Sequence, residues 1–163
     1  MLADACVLPQ FGLCVATMAR SFEVFVSFRG ADIRTGFISH LFAALERKGT
    51  HGYRDDIDLP RGGKIMPELF KAIETSRIAV VVFSKKYATS GWCLDELVKI
   101  MKCKRVFNQR VLPIFYHVSQ LEVLEQRGNF AELPNGSEDK RNSWRAALTE
   151  AAKLAGLHLE PKR

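Results

Sequence analysis

Residues 90–97 place an indole and two carboxylates directly after an apolar, strand-like run. Their sequence is S-G-W-C-L-D-E-L, and the apolar run before them covers residues 77–83. In an open α/β sheet, ligands bind beyond the carboxyl ends of the strands, where this segment is expected to lie. An aromatic side chain beside an acid, as Trp92 is here, is a plausible binding site for a flat, charged ring. The segment therefore predicts a small-molecule site.

Only one of the two carboxylates in this segment is expected to face the site. Asp95 and Glu96 are neighbours on a predicted helix over residues 94–107, so they point about 100° apart and cannot both face one pocket. That excludes the paired carboxylates of a glycosidase. A lone carboxylate can stabilise the cationic sugar that remains when a neutral group leaves. Alternatively, acids in a first helical turn only complement the helix dipole.

Three residues of the segment have both a structural and a functional interpretation. Trp92 is by default a core or lid residue, and in a functional role it would stack on a ring. Cys93 has no neighbouring histidine to activate it, so a small buried hydrophobe is the simpler interpretation. Ser90 suits a helix cap better than a ribose contact.

Basic residues suited to phosphate lie near the same predicted edge of the sheet. Arg29 and Gly30 follow the first strand, and Arg34 lies in the next predicted loop. Together with Arg61 and Lys64 they form a candidate phosphate-binding cluster, although any one arginine is as easily an ordinary solvated side chain. The pattern G-x-x-x-x-G-K-[ST] is absent, which excludes a P-loop ATPase.

Composition indicates one globular domain with free thiols. The chain has 163 residues, 47% of them hydrophobic and 26% charged, which is enough for one core. Its net charge of +6 favours anionic partners such as nucleotides, but the basic residues are scattered, which argues against nucleic acid. The four cysteines form no C-x-x-C pair and have no histidine at zinc-ligand spacing. We therefore expect a reducing compartment and no metal site.

Residues 1–20 are expected to form a tail outside a domain that covers residues 21–160. The tail is fairly apolar, but Pro9 and Gly12 interrupt it. It is too short to span a bilayer, and it lacks the basic start of a signal peptide.

Strand-like runs at residues 22–28, 50–54, 77–83 and 110–116 alternate with helical patterns. The first helix is expected to be capped by Asp32 or Thr35 and to stop at Gly49, and the last to carry an apolar stripe from Trp144 and to end at Gly156. Residues 134–141 are expected to form a loop, and a fifth strand has no clear place. The alternation predicts a doubly wound parallel α/β sheet.

Several of these motifs together resemble the TIR (Toll/interleukin-1 receptor) domain of plant immune receptors. They are F-V-S-F-R-G at 25–30, S-G-W-C-L-D-E-L at 90–97 and L-P-I-F-Y at 112–116, in the order of that family. Residues 144–152 look most like grapevine disease-resistance proteins. The resemblance implies a flavodoxin-like parallel sheet of about five strands.

The resemblance also implies an enzyme of plant innate immunity and cell death. Members of the family, once self-associated, cleave NAD+ or NADP+ between nicotinamide and ribose, releasing ADP-ribose or its cyclic and linked derivatives. The catalytic glutamate of the family falls on Glu96. The predicted substrate-binding residues are Arg29, Gly30, Arg34, Asp55, Arg61, Ser90, Trp92 and Cys93.

The partners implied by the resemblance are a second copy or another TIR domain, contacted through Ser39 and His40, which are otherwise an exposed polar turn. It implies that NAD+ or NADP+ is the substrate, that no cofactor is tightly bound, and that a divalent cation could assist. It also implies that the chain has no membrane partner and is located in the cytoplasm or nucleus. Residues 119–124 replace the Asp-Pro-Ser-x-Val-Arg of the family, so self-association is expected to be weakened there. The competing hypothesis is a non-catalytic TIR–TIR interaction module, in a TIR-only protein or in part of a larger receptor.

Overall fold

A computed structural model describes residues 22–54 and 65–162; residues 1–21, 55–64 and 163 lie outside the described part. Within it, five parallel strands form one sheet in the order β2-β1-β3-β4-β5. The strands are β1 Phe22–Ser27, β2 Gly52–Arg54, β3 Ser76–Phe83, β4 Arg110–Tyr116 and β5 Leu157–Leu159. The predicted doubly wound parallel sheet is confirmed.

Helices connect these strands. They are α1 Gly30–Ile33, which continues through a π-helical turn at Arg34–Ile38 into α2 Ser39–Arg47, then α3 Ile65–Thr75, α4 Gly91–Phe107, α5 Gln120–Leu124 and α6 Glu138–Ala152. Short 3-10 turns occur at Tyr87–Thr89 and Gly128–Phe130. The chain therefore alternates strand and helix, as the hydrophobic periodicity predicts.

The alternation of side chains in β1 divides the core between the two faces of the sheet. Val24 and Val26 are buried with residues of α2 and the π-helical turn, including Ile38 and Phe42. Phe25 is buried in a second cluster that includes side chains of α3, α4 and α6. Ser27 follows Phe25 at an interval of two, so it is a polar residue at an inward-facing position of an apolar strand, and it is fully buried.

The order of the strands locates the crevice in which ligands bind to folds of this type. The chain passes from β1 to β2 on one side and then to β3 on the other, so the direction of winding reverses between β1 and β3. The carboxyl ends of two such strands frame the usual ligand position. β1 ends at Ser27, which pairs with Val81 near the end of β3. The segments that follow these two strands therefore position the candidate site.

Two helix starts differ from the predictions because serine caps extend the helices. α4 begins at Gly91 rather than at residue 94, since the Ser90 hydroxyl accepts a hydrogen bond from the Cys93 backbone N–H. α6 begins at Glu138, inside the predicted loop, because Ser137 accepts from the Lys140 backbone N–H.

The first and last helices also depart from their predicted limits. The first begins at Gly30, so Asp32 and Thr35 are not its caps, whereas Gly49 at φ +70° follows its end as predicted. The last helix ends at Ala152 and leaves room for β5, which pairs with β4. Gly156 passes β4 so closely that a Cβ there would lie 2.3 Å from the Pro113 carbonyl oxygen.

Candidate functional site

Glu96 lies on the inner face of α4, at the carboxyl ends of β1 and β3. Its side chain is 0% exposed. The hydroxyl of Ser27 donates a hydrogen bond to Glu96 Oε2 at 2.7 Å, the length expected for a hydroxyl that donates to a charged carboxylate. Burying a carboxylate is costly unless hydrogen bonds replace its water. The last residue of β1 therefore supplies part of that replacement.

Tyr87 anchors Ser27 from the turn that follows β3. Its ring is buried and packs edge-on against Phe83, with the ring centres 5.1 Å apart. Its hydroxyl lies 2.9 Å from Ser27 Oγ and donates to the Cys93 carbonyl oxygen at 3.0 Å. Because the Ser27 proton is directed to Glu96, the single tyrosine proton is shared between Ser27 Oγ and the Cys93 carbonyl oxygen in a three-centre hydrogen bond. One polar network thus joins β1, the turn after β3, and α4.

The tyrosine in this network stays protonated over the physiological range. Burial raises the pKa of Tyr87 well above its usual value of 10.0; nearby Cys93 and Glu96 raise it further, and the hydrogen bond with Ser27 lowers it. The Tyr87 hydroxyl is therefore a permanent donor.

Asp95 points the opposite way, toward α6. Its Oδ1 accepts a hydrogen bond from Trp144 Nε1 at 2.9 Å, and its Oδ2 lies 3.4 Å from Lys140 Nζ. The same ammonium lies 5.4 Å from the centre of the Trp144 ring. The prediction that Asp95 and Glu96 cannot share a pocket is confirmed.

Trp92 is half-buried and lines an open cavity on the outer side of α4. The cavity has a volume of about 310 Å³ and is also lined by Asp95, Asn135, Lys140 and Trp144. That volume is at the lower end for small-molecule sites. Glu96 is not among the residues that line this cavity.

Ser90 and Cys93 have the simpler of their two predicted roles. Ser90 is buried and caps α4, as described above. Cys93 is fully buried, and its Sγ lies 3.5 Å from the Phe28 carbonyl oxygen. The substrate-binding role of both residues remains a prediction.

The predicted basic cluster is only partly within the described residues. Arg34 belongs to the π-helical turn rather than to a loop, and its guanidinium carbon lies 5.8 Å from the centre of the Phe28 ring. A Cβ on Gly30 would lie 2.5 Å from Arg34 Nη2, so glycine is what admits the guanidinium here. Arg29 is half-buried beside them. Their contact with substrate remains a prediction, and Asp55, Arg61 and Lys64 lie outside the described residues.

The predicted self-association residues lie at the start of α2. The Ser39 hydroxyl donates to the Arg34 carbonyl oxygen at 2.7 Å, so it is engaged within its own helix, whereas His40 is exposed. His40 is thus the more accessible of the two to a partner. Their role in association remains a prediction.

The segment that departs from the family motif keeps an ordered local structure. The Ser119 hydroxyl caps α5 by accepting from the Glu122 backbone N–H at 3.0 Å. Glu122 Oε1 in turn accepts from both the backbone N–H and the side-chain amide of Asn129, each at 2.8 Å. α5 is only five residues long, and Leu121 on it is 54% exposed. The segment is therefore held by local hydrogen bonds and presents Leu121 to solvent.

Within residues 22–54 and 65–162, no three histidine, cysteine, aspartate or glutamate side chains are grouped so that they could hold a metal ion. None of the helices in those ranges is long and apolar enough to cross a membrane.

Comparison with known proteins assigns the family. The family model of the TIR domain matches residues 21–163. This chain belongs to the TIR domain family. The TIR chain is 54% identical over 143 residues to disease resistance protein RPV1 of Vitis rotundifolia, and 52% identical over 147 residues to RUN1 of the same species. These matches cover 85% and 86% of this chain but only 10% and 11% of the relatives, so it spans about a tenth of their length. The predicted similarity to grapevine resistance proteins is confirmed.

A solved structure supports the same assignment. The TIR chain is similar to the TIR domains of the activated Roq1 resistosome that recognises the pathogen effector XopQ, with a TM-score of 0.75 and 46% identity. The match covers 85% of this chain and 88% of that chain. The predicted TIR fold is therefore confirmed, and the chain is a TIR domain of the kind found in plant disease resistance proteins.

Sequence reasoning missed two residues that contact the candidate site of the TIR chain. The role of Ser27 could have been suspected from the sequence, because it is a small polar residue at an inward-facing position of an apolar strand. Tyr87 lies in the polar segment S-K-K-Y-A-T-S, which gives no indication that its ring is buried. The pairing of Asp95 with Trp144 was missed as well, because the two residues are 49 positions apart.

Proposed function

We propose that this TIR chain is an NAD+/NADP+ hydrolase that signals in plant innate immunity and cell death, with Glu96 as its catalytic residue. The reaction would break the bond between nicotinamide and ribose and give ADP-ribose or its cyclic and linked derivatives. The observation that supports it best is the buried Glu96 carboxylate, hydrogen-bonded by Ser27 at the point where the winding of the sheet reverses. Ionisable groups held in a crevice with specific partners are typical of active sites.

The chemistry needs one carboxylate at this place. When the bond from ribose C1′ to the pyridinium nitrogen breaks, its electron pair leaves with nicotinamide, which becomes neutral and needs no proton. The positive charge passes to the ribose, where a nearby carboxylate stabilises it. Water then bonds to C1′ and releases a proton. Asp95 is engaged with Trp144 and Lys140 on the other face of α4, so the neighbouring aspartate is not a second acid beside Glu96.

We propose that self-association activates the chain by making Glu96 accessible. A ribose cannot touch a side chain that is 0% exposed, so turnover requires a state in which Glu96 is accessible. A second TIR domain that binds this state better would increase its population. The Roq1 TIR domains belong to an activated resistosome, and we extend association to this chain, with His40 and Ser39 at the contact.

The remaining components of the proposal are simple. No tightly bound cofactor is required, and a divalent cation would assist only by neutralising the diphosphate of the substrate. The proposed compartment is the cytoplasm or nucleus, where thiols such as those of Cys93 and Cys103 stay reduced.

The second candidate function is a non-catalytic TIR–TIR interaction module. The same complete burial of Glu96 favours it. In this case the chain would associate with other TIR domains without turning over a nucleotide.

The deciding experiment measures nicotinamide release from NAD+ and from NADP+ by the full chain over a range of protein concentrations, with and without a crowding agent. We expect release to rise faster than linearly with protein concentration and to disappear in Glu96→Gln. Light scattering on the same samples reports association. Association without release would overturn the hydrolase and support the interaction module.

A further inference from the structure

We infer that Ser27 and Tyr87 are positioning residues that hold Glu96 in its catalytic orientation, an inference that rests on the proposed function. Neither residue belongs to the predicted substrate-binding set. The three side chains form one buried chain of hydrogen bonds, from the Cys93 carbonyl through Tyr87 and Ser27 to Glu96.

The first step is the direction of the Ser27 bond. A serine hydroxyl has one proton, and a carboxylate can only accept. Ser27 must therefore donate at 2.7 Å to Glu96 Oε2, which fixes where that oxygen lies. A glutamate side chain otherwise has three rotatable bonds and many orientations. The bond from β1 selects one of them.

The second step is the orientation of Ser27 by Tyr87. The serine hydroxyl could rotate among three staggered positions, but the Tyr87 hydroxyl at 2.9 Å stabilises the one that points its proton at Glu96. The tyrosine itself is held by burial of its ring and by its bond to the Cys93 carbonyl at 3.0 Å. Tyr87 thereby acts on Glu96 through Ser27.

The third step is the rigidity of these supports. Ser27 ends β1, which pairs with strands on both sides, and it is fully buried. Tyr87 follows β3, which also pairs on both sides. Exposing Glu96 to a ribose therefore leaves its two supports in place, because Ser27 is part of the central sheet and Tyr87 is held in the turn after β3 by its buried ring and its bond to the Cys93 carbonyl. They act in the substrate-bound state as well.

The test compares Ser27→Ala with Ser84→Ala in the nicotinamide release assay. Ser84 is a matched control because it is equally buried, directly follows the neighbouring strand β3, and its hydroxyl has no hydrogen-bond partner among the described residues. We expect Ser27→Ala to lower kcat about 10- to 100-fold, the loss typical of a misplaced catalytic group, with an unchanged KM. Ser84→Ala should change neither constant, and Tyr87→Phe should lower kcat by less than Ser27→Ala does.

The outcomes that overturn the inference are equally specific. An unchanged or higher kcat in Ser27→Ala would show that the bond is dispensable or restrains Glu96. An equal loss in Ser84→Ala would show that any buried hydroxyl at this edge matters. Thermal unfolding of each variant identifies loss of fold.

A second readout does not depend on turnover. In full chain labelled with ¹³C at the glutamate carboxyl carbons, the Glu96 signal is the one absent from Glu96→Gln. We expect it to shift in Ser27→Ala and to stay in place in Ser84→Ala. If the wild type releases no nicotinamide, the proposed function fails while this shift still tests the positioning. If the signal stays in place in Ser27→Ala, the positioning fails even in an active enzyme.

Discussion

The two faces of α4 place neighbouring carboxylates in different environments, one buried and one partly in solvent. On the inner face, Glu96 is wholly buried and accepts a hydrogen bond from Ser27 on the central sheet. On the outer face, Asp95 remains partly in solvent and connects α4 to α6 through Trp144 and Lys140. The residues are adjacent in the chain and carry the same charge.

The difference teaches that the partner and the environment, rather than the residue type, decide what an acid does. Asp95 keeps part of its hydration, so its contacts cost little and serve to hold two helices together. Glu96 gives up its water, which is costly for a charged group. The inner face lies at the usual ligand crevice of this sheet type, which is where the proposed function would use that charge.

The largest effect is expected when the two acids are neutralised one at a time. Glu96→Gln should lower kcat for nicotinamide release by at least about 100-fold, because the charge that stabilises the ribose cation is lost. Asp95→Asn should stay within about 3-fold of the wild type, because its carboxylate faces Trp144 and Lys140 rather than Glu96 and is partly in solvent, which screens its charge. Greater loss in Asp95→Asn would place the chemistry on the outer face, in the cavity lined by Trp92.

The next effect concerns stability and separates the two tryptophans near that cavity. Trp144 is 2% exposed, so Trp144→Ala should lower the free energy of unfolding by about 3–5 kcal/mol. Trp92→Ala should cost clearly less, because the Trp92 side chain is only half-buried. Urea unfolding measures both. Equal losses would mean that Trp92, too, is a core residue.

The smallest effect is a change in alkaline stability caused by Tyr87. The pKa of Tyr87 is raised by burial above its unfolded value of 10.0, so the unfolded chain loses this proton first as pH rises. The stabilisation is complete below pH 10 and is lost progressively above it. Tyr87→Phe should therefore reduce the loss of stability per pH unit above pH 10 by up to about 1.4 kcal/mol. Urea unfolding between pH 9 and 11 tests this, and parallel curves would contradict it.

Much of the fold could be predicted because its signals are local. The near-continuous apolar run at the end of β3 indicates a strand buried on both faces, and the helical spacing of apolar residues locates the helices between strands. The ends of helices were harder: Ser90 was predicted to be a cap, yet its helix was placed from residue 94, and Ser137 lies in a segment typical of a loop until its hydrogen bond is seen. β5 has only three residues, and its sequence L-H-L is too short to show a period.

The candidate site could be predicted only in part. The angle between Asp95 and Glu96 follows from helix geometry, and the resemblance to the family points to Glu96. The hydrogen bond from Ser27 to Glu96 could not be predicted, because it joins residues 69 positions apart. The sequence near either residue gives no indication that the other is its partner. Tyr87 was hidden for the same reason: its burial depends on Phe83 and on the packing of α4 rather than on its own neighbours.

The complete burial of Glu96 also has a pharmacological consequence. A competitive inhibitor directed at this carboxylate could bind only the fraction of molecules that are open, so its apparent dissociation constant would be its intrinsic value divided by that fraction. Its onset would be slow, and at saturating doses the rate would level off at the opening rate of the chain. The affinity of a compound would therefore be underestimated in a screen against an isolated, unassociated domain. A screen against an assembled form would rank the same compounds by affinity in a different order.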